Sequence, residues 1–350
     1  MVPWQRRDVQ QNTGAATGHG RILSHHRLVD FCAKENALHS TPHRRPLLLG
    51  IVGFDRLAKS LLRRLSASAD LVVRVLVDPA PAATLAHLTQ FDTVTGRFPG
   101  RVEATEGGLR IADRDILCVA AKGAEAVDWA TLGVDVLIDG RAGQIRDLTA
   151  AVPSVQSIPS GAELAAVAVL QVLQPAFGIE RAFLNEVRAY AEDDRLADVP
   201  AADFRQGRAA AENISPRASD LAAAVGAALP ALAGKVSAVA MHVPVESGAA
   251  IDLTCWHERP VTREALLQAL RSSAGGSAGR LEIEERPIVS SDVRGMSAAA
   301  VFDAGSVMIL GDRISKTLAW FDEESSRPAC LIESLERLAE LPRAAGPGGV

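Results

Sequence analysis

The chain has no apolar run of 18 residues, no CxxC pair and no surplus of positive charge, and each absence closes off a class of protein. Without such a run there is no candidate membrane span. The four cysteines, Cys32, Cys118, Cys255 and Cys330, lie far apart in the sequence. Their spacing offers neither a zinc cluster nor a disulfide framework, and it fits a reducing compartment, the cytoplasm. A formal net charge of −5 argues against nucleic acid or an acidic membrane as a partner. No segment repeats. What is present, 350 residues of which 48% are hydrophobic and 23% charged, suffices for two globular domains around two cores.

Residues 1–45 stand apart. They carry seven Lys/Arg against three acids and five of the eight histidines, His19, His25, His26, His39 and His43. They show no hydrophobic periodicity and lack the apolar centre of a secretory signal. The composition predicts a disordered extension. A metal-binding role is weakly signalled, because the histidine spacings are irregular.

From Pro46 the pattern alternates between strand and helix. Leu47–Gly53 reads as a buried parallel strand ending in glycine, followed by a helix over 56–66 with Leu57, Leu61, Leu62 and Leu65 on one face. A strand over 71–78, a helix over 82–90 and strand-like pieces at 101–104, 116–121 and 134–139 follow. This alternation predicts an α/β domain over 46–159 with a doubly wound parallel sheet. After Pro159 an apolar helix from Gly161 leads into longer strands over 181–190, 236–245, 250–257, 281–289 and 307–321. Helices over 219–229 and 262–272 interrupt them. That predicts an α+β domain over 160–327 with one mostly antiparallel sheet. Ala274–Gly279 reads as a flexible loop. A last amphipathic helix, at about 328–342, carries Leu331, Ile332, Leu335 and Leu338.

Gly50–Ile51–Val52–Gly53–Phe54–Asp55–Arg56–Leu57–Ala58 is similar to the N-G-F-G-R-I-G-R opening of glyceraldehyde-3-phosphate dehydrogenases. Phe91 to Phe98 (FDTVTGRF) resembles that family's Y-D-S-V-H-G-R-F. Asp194 to Pro200 resembles its S-loop, here 190–212. Val243–Pro244–Val245, Asp252–Leu253–Thr254, Ile288 to Asp292, Phe302–Asp303–Ala304 and Ala319 to Asp322 continue the match in order. The resemblance implies a Rossmann-type NAD-binding domain, a catalytic domain and a C-terminal helix that packs back on the first. It also implies a homotetramer, or a mixed oligomer with a catalytic homologue.

The chemistry implied by the resemblance does not follow. A dinucleotide fingerprint needs small residues for a tight turn, for backbone approach to the pyrophosphate and for helix–strand packing. Gly53 and Ala58 satisfy the first and third. Asp55 places a carboxylate where phosphates meet the helix N-terminus. Two like charges about 4 Å apart cost on the order of 1–4 kcal/mol, which predicts weakened NAD binding around Gly53, Phe54, Asp55, Arg56 and Leu57. Asp78, at a strand end, is placed to hold a ribose or merely to end its strand.

The family's thiolate attacks the aldehyde and its histidine accepts the proton. At the matching positions this chain has Gly161 and Arg188, and an arginine stays protonated and cannot act as base. Ser160 and Glu163 have the spacing of a capping box instead. The phosphate grips have changed as well. Ala162 and Ala191 lack hydroxyls, only Ser219 keeps one in Arg217–Ala218–Ser219–Asp220, and His242 stands in place of an arginine. Glu323–Glu324 replaces an Asn-Glu that contacts nicotinamide. The sequence therefore predicts a family member inactive in phosphorylating aldehyde oxidation, with a regulatory or assembly role. Two alternatives remain open: an NAD(P)-dependent oxidoreductase acting without a covalent intermediate on an anion held by Arg188 and His242, and a ligand sensor using Arg188, Arg217 and His242.

Overall fold

The computed structural model describes residues 45–149, 154–191, 193–274 and 280–340. The predicted N-terminal extension, apart from Arg45, and residues 275–279 of the predicted loop lie outside them.

The first sheet contains β1 (Leu47–Val52), β2 (Leu71–Val77), β3 (Val102–Thr105), β4 (Gly108–Ile111), β5 (Arg114–Val119), β6 (Val136–Asp139), β7 (Gln144–Asp147) and β8 (Ser154–Ser157). Their spatial order is β3-β4-β5-β2-β1-β6-β7-β8. Only the centre is parallel: β1 pairs with β2 and β6, and β2 with β5. The outer pairs β3–β4, β4–β5, β6–β7 and β7–β8 are antiparallel, so the sheet is mixed rather than parallel throughout. The difference follows from burial. β1 and β2 are apolar almost throughout, as strands covered on both faces must be, whereas the outer strands alternate and connect by short hairpins.

Helix α1 (Arg56–Leu65) presents Leu57, Ala58, Leu61, Leu62 and Leu65 to this sheet, and α2 (Ala82–Gln90) contributes Leu85 and Ala86. Helix α3 (Gly161–Phe177) is apolar nearly all round and is buried in the core of the second sheet. It ends at Gly178, whose φ of 66° suits a residue without Cβ.

The second sheet contains β9 (Arg181–Ala189), β10 (Ser215–Arg217), β11 (Val236–Val243), β12 (Ala249–Trp256), β13 (Leu281–Glu284), β14 (Ala300–Asp303), β15 (Met308–Leu310) and β16 (Ile314–Phe321). Its order is β10-β11-β9-β12-β16-β14-β13, with β15 paired to β16. Four of its six in-line pairings are antiparallel; β9–β11 and β13–β14 are parallel. Helices α4 (Leu221–Ala228) and α5 (Arg263–Ser273) pack beside α3. The single strand expected over 307–321 is a hairpin, because Leu310 pairs with Ile314 across a turn entered by Gly311 at φ 64°. The strand expected to reach 289 stops at Glu284.

Helix α6 runs from Glu323 to Glu340, five residues earlier than expected, with Pro328 inside it. A proline within a helix removes the bond to the carbonyl four residues back. That carbonyl belongs to Glu324, and Ser60 Oγ of α1 donates to it at 3.1 Å. A tertiary partner thus supplies what the proline withholds. Leu331 and Leu335 then seat α6 in the first sheet's core. Residues 190–212, those described, form neither helix nor strand and expose Leu196 and Phe204. Among the described residues no helix is long and apolar enough to cross a membrane.

Candidate functional site

The start of α1, the end of β9 and the start of α6 line the cleft, and the start of α3 lies against it through Glu323. The cleft lining includes Arg56, Arg188, Tyr190, Glu323, Glu324 and Arg327. Its cavity volume is about 80 Å³, room for a few waters and well short of the ~300 Å³ at which small-molecule sites begin.

Helix α3 starts because Ser160 Oγ accepts the N–H of Glu163 at 3.1 Å, the cap that the Ser-x-x-Glu spacing predicts. Glu163 itself is buried. The first helical N–H, that of Gly161, points elsewhere and donates to Glu323 Oε2 at 2.7 Å. A Cβ placed on Gly161 would lie 2.5 Å from that oxygen and 2.9 Å from the Phe321 ring. The Glu323 carboxylate therefore fills the volume that a side chain at position 161 would need. Its negative charge also sits on the positive end of the α3 dipole. Arg327 stands 3.9 Å from the same carboxyl group.

Arg188 lies beside Glu186, with 3.4 Å between guanidinium and carboxylate. Glu186 is buried, and burial pushes its carboxyl up from the ordinary range, against the opposing pull of Arg188. The carboxylate of Glu323 adds to the upward push, and a hydrogen bond from Ser219 works against it. In the parallel β9–β11 register, Arg188 is level with His242. The structure brings the predicted cations onto neighbouring strands but gives each a carboxylate. Asp194 takes Arg217 on Oδ1 at 2.5 Å, while its Oδ2 accepts from His242 Nδ1 at 2.8 Å and from the Ala191 N–H at 2.9 Å. Those contacts hold Asp194 below the ordinary carboxylate range in spite of its burial.

The dinucleotide fingerprint is likewise filled from within the chain. Gly53 turns at φ 86°, and Asp55 Oδ1 caps α1 by accepting the Ala58 N–H at 2.7 Å. The Asp55 carboxylate packs directly against Gly140. Asp78 accepts from the N–H groups of Phe54 at 3.0 Å and Ala80 at 2.9 Å, and from Arg141 at 2.8 Å. Arg141 also donates to the Lys122 carbonyl at 2.7 Å, and its stem lies over Gly53, 3.0 Å from where a Cβ would be. Arg56 pairs with Glu324, whose carboxyl is raised by burial. Leu57 is buried in the core.

Sequence reasoning overlooked Arg141, Asp194 and Glu186, and read Glu323 only as a lost contact. The Arg141–Asp78 pair and the cation pairing of Asp194 carry no local signal, because those partners lie 63 residues away for Arg141 and 23 and 48 for Asp194; only the Ala191 N–H is local to Asp194. Glu186 does sit two residues from Arg188 on one strand face, a pairing that period-two alternation could have exposed. None of the described cysteines is an exposed thiol: Cys255 and Cys330 are buried and Cys118 is half-buried. Burial pushes the Cys118 thiol up to about 11 and the Cys255 thiol up to about 12.

Residues 47–147 match the profile of the glyceraldehyde 3-phosphate dehydrogenase NAD binding domain, and residues 164–323 that of the C-terminal domain of the same family. The chain belongs to the glyceraldehyde-3-phosphate dehydrogenase family. Among relatives, it is 35% identical over 313 residues to glyceraldehyde-3-phosphate dehydrogenase 1 of Streptomyces avermitilis, covering 79% of this chain and 93% of that protein. It is 35% identical over 329 residues to the Kitasatospora aureofaciens enzyme, covering 83% and 98%. With the Streptococcus pyogenes enzyme the identity is 29% over 333 residues, covering 84% and 98%. Each of these glyceraldehyde-3-phosphate dehydrogenases is matched over nearly its whole length, so the likeness extends to the whole family architecture and not to one domain.

Proposed function

We propose that this family member does not carry out phosphorylating aldehyde oxidation and acts through assembly and regulatory contacts. The observation that carries this reading is the Glu323 carboxylate on the Gly161 N–H, filling the place of a nucleophile's side chain. Covalent aldehyde chemistry needs an activated nucleophile with a base beside it. Here a glycine faces a carboxylate, and the neighbouring Arg188 is a permanent cation. The fit to NAD is poor for a related reason. Asp55 brings a charge like that of the pyrophosphate to the α1 N-terminus, and Arg141 covers Gly53 while holding Asp78. We read NAD binding as weakened. The alternatives that need a free anion site fare less well, because Asp194 and Glu186 compensate Arg217, His242 and Arg188. The direct test is NADH formation by the purified protein from glyceraldehyde 3-phosphate, NAD and phosphate. No turnover above a protein-free blank is expected, and turnover at the rate of a catalytic relative would overturn the reading.

The assembly half of the proposal rests on exposed apolar side chains. Leu196 is 78% and Phe204 90% exposed in the S-loop segment, and Phe183 and Val239 face outward from the second sheet. Phe183 and Val239 line one surface depression, and apolar exposure that joins into a patch marks a contact surface. A homotetramer in the cytoplasm, or a mixed tetramer with a catalytic homologue, is the assembly we infer. Sedimentation is expected to give four chains per particle, and Phe204→Ser to shift the population toward smaller species. A monomer at tens of micromolar would remove this half of the proposal.

A further inference from the structure

We propose that the groove between α1, the start of α6 and the 290–297 segment is a binding site for a small organic phosphate. This groove is separate from the cleft at Gly161, although the Arg56–Glu324 ion pair lines both. Its cavity volume, about 490 Å³, falls within the ~300–1,000 Å³ usual for small-molecule sites.

The charge inside it is unusual for this chain. Arg56, Lys59, Arg63, Arg64 and Arg294 face Asp92, Asp322 and Glu324, five cations against three carboxylates, in a protein whose net charge is −5. Each carboxylate is already engaged. Glu324 pairs with Arg56 and Asp92 with Lys59, while Asp322 accepts the N–H groups of Gly295 at 2.7 Å and Glu324 at 3.2 Å. Arg63 and Arg294 are left without a carboxylate, and Arg64 feels the charge of Asp322 without a hydrogen bond to it. Arg63 donates to the carbonyls of Thr89, Thr95 and Gly96 and lies over the Phe98 ring. Arg64 meets only hydroxyls, those of Ser60 at 3.2 Å and Ser297 at 3.3 Å. The Arg294 side chain is exposed and meets no partner among the described residues.

A second observation points the same way. Arg280 lies close enough to Arg64 for their charges to oppose each other; its Nε pairs with Glu333 at 3.3 Å, and its Nη1 is buried without an acceptor. Arg280 does not line the groove itself, but its charge adds to that of Arg64, which does, and an anion there relieves both; planar guanidinium forks match phosphoryl oxygens. Val94, Phe98 and Pro99 supply an apolar wall for a carbon skeleton. Because α1 belongs to the first sheet's layer and residues 290–297 to the second, an occupant bridges the two halves of the chain.

Calorimetric titration of the full chain with inorganic pyrophosphate at constant ionic strength tests this, with sulfate as the comparison anion. Pyrophosphate is expected to bind with a Kd below about 1 mM and at least ten-fold more tightly than sulfate. Arg294→Gln and Arg64→Gln should each weaken it about ten-fold, while Arg188→Gln, in the cleft, leaves it unchanged. Arg294 has no partner to lose, so that variant keeps its unliganded Tm and reads binding alone. Three outcomes overturn the proposal: no heat at 10 mM pyrophosphate, affinity equal to that of sulfate, or equal weakening by Arg188→Gln. None of them bears on aldehyde oxidation, which the NADH assay reads separately.

Discussion

Gly161→Cys is expected to give a protein that still makes no detectable NADH. The substitution restores the atom the reaction lacks, but it puts that atom where Glu323 already is. A Cβ at 161 would stand 2.5 Å from Glu323 Oε2, so the carboxylate must move and its bond to the Gly161 N–H must lengthen or break. Overpacking of this kind costs on the order of 1–3 kcal/mol, to be read as a lower Tm. A carboxylate that remains nearby also raises the thiol's pKa, because like charges disfavour the thiolate. Arg188 stabilises a thiolate only weakly here, since Glu186 is its nearer partner, and it cannot accept a proton. Removing one member of a nucleophile–base pair can cost about 10⁶-fold in rate, and this variant has only half of the pair. The triple variant Gly161→Cys, Glu323→Asn, Arg188→His frees the volume, removes the opposing charge and supplies a base. Its thiol should react with iodoacetamide at neutral pH at least ten-fold faster than that of Gly161→Cys. If the single variant turned over like a catalytic relative, Glu323 would not be a barrier and the account of the site would be wrong.

The wild-type chain is expected to bind NAD only weakly, with a Kd above about 1 mM, and Asp55→Gly with Arg141→Ala to tighten it by about one to three decades. The reasoning is electrostatic first. Removing a like charge about 4 Å from a phosphate returns on the order of 1–4 kcal/mol, about one to three decades in Kd. Glycine still serves as a helix cap at a cost of a few tenths of a kcal/mol, so α1 should survive the loss of the Asp55–Ala58 bond. Arg141→Ala uncovers Gly53 and releases one of the three groups on Asp78, leaving the N–H groups of Phe54 and Ala80 to orient it. Fluorescence or calorimetric titration of the four proteins, wild type, each single and the double, separates the two contributions. Micromolar binding by the wild type would mean that Asp55 and Arg141 step aside at little cost. The altered-oxidoreductase reading would then deserve a substrate screen.

Much of the fold was legible locally. β1, α1, β2 and α2 fall within a residue or so of their expected limits, because their apolar periods are unambiguous and glycine, proline or a capping residue bounds them. The strands that escaped notice are short, three or four residues each, whether apolar as in β4 (GLRI) and β14 (AVFD) or polar as in the rest. β7 (QIRD) and β8 (SVQS) hold one apolar residue each, and β10 carries Pro216, a residue that sheets tolerate at an edge, where β10 lies. The turn between β15 and β16 does carry a local signal, the Gly311–Asp312 pair with Gly311 at positive φ, which a reading of 307–321 as one strand passes over.

The sequence by itself determined the missing thiol, the arginine in place of the base and the carboxylate at the fingerprint, since these are matters of residue type at a matched position. It also determined the succession of strands and helices, since periods of 2 and 3.6 are local properties of the chain. Tertiary structure alone decided what took the empty places. Glu323 reaches Gly161 across 162 residues, Arg141 reaches Asp78 across 63, and Ser60 satisfies a carbonyl that Pro328 strands 264 residues away. Hydrogen bonds and ion pairs act over about 3 Å, and packing of whole helices and sheets sets which distant groups come that close. A residue list records which charges exist; only the packed core decides which of them meet.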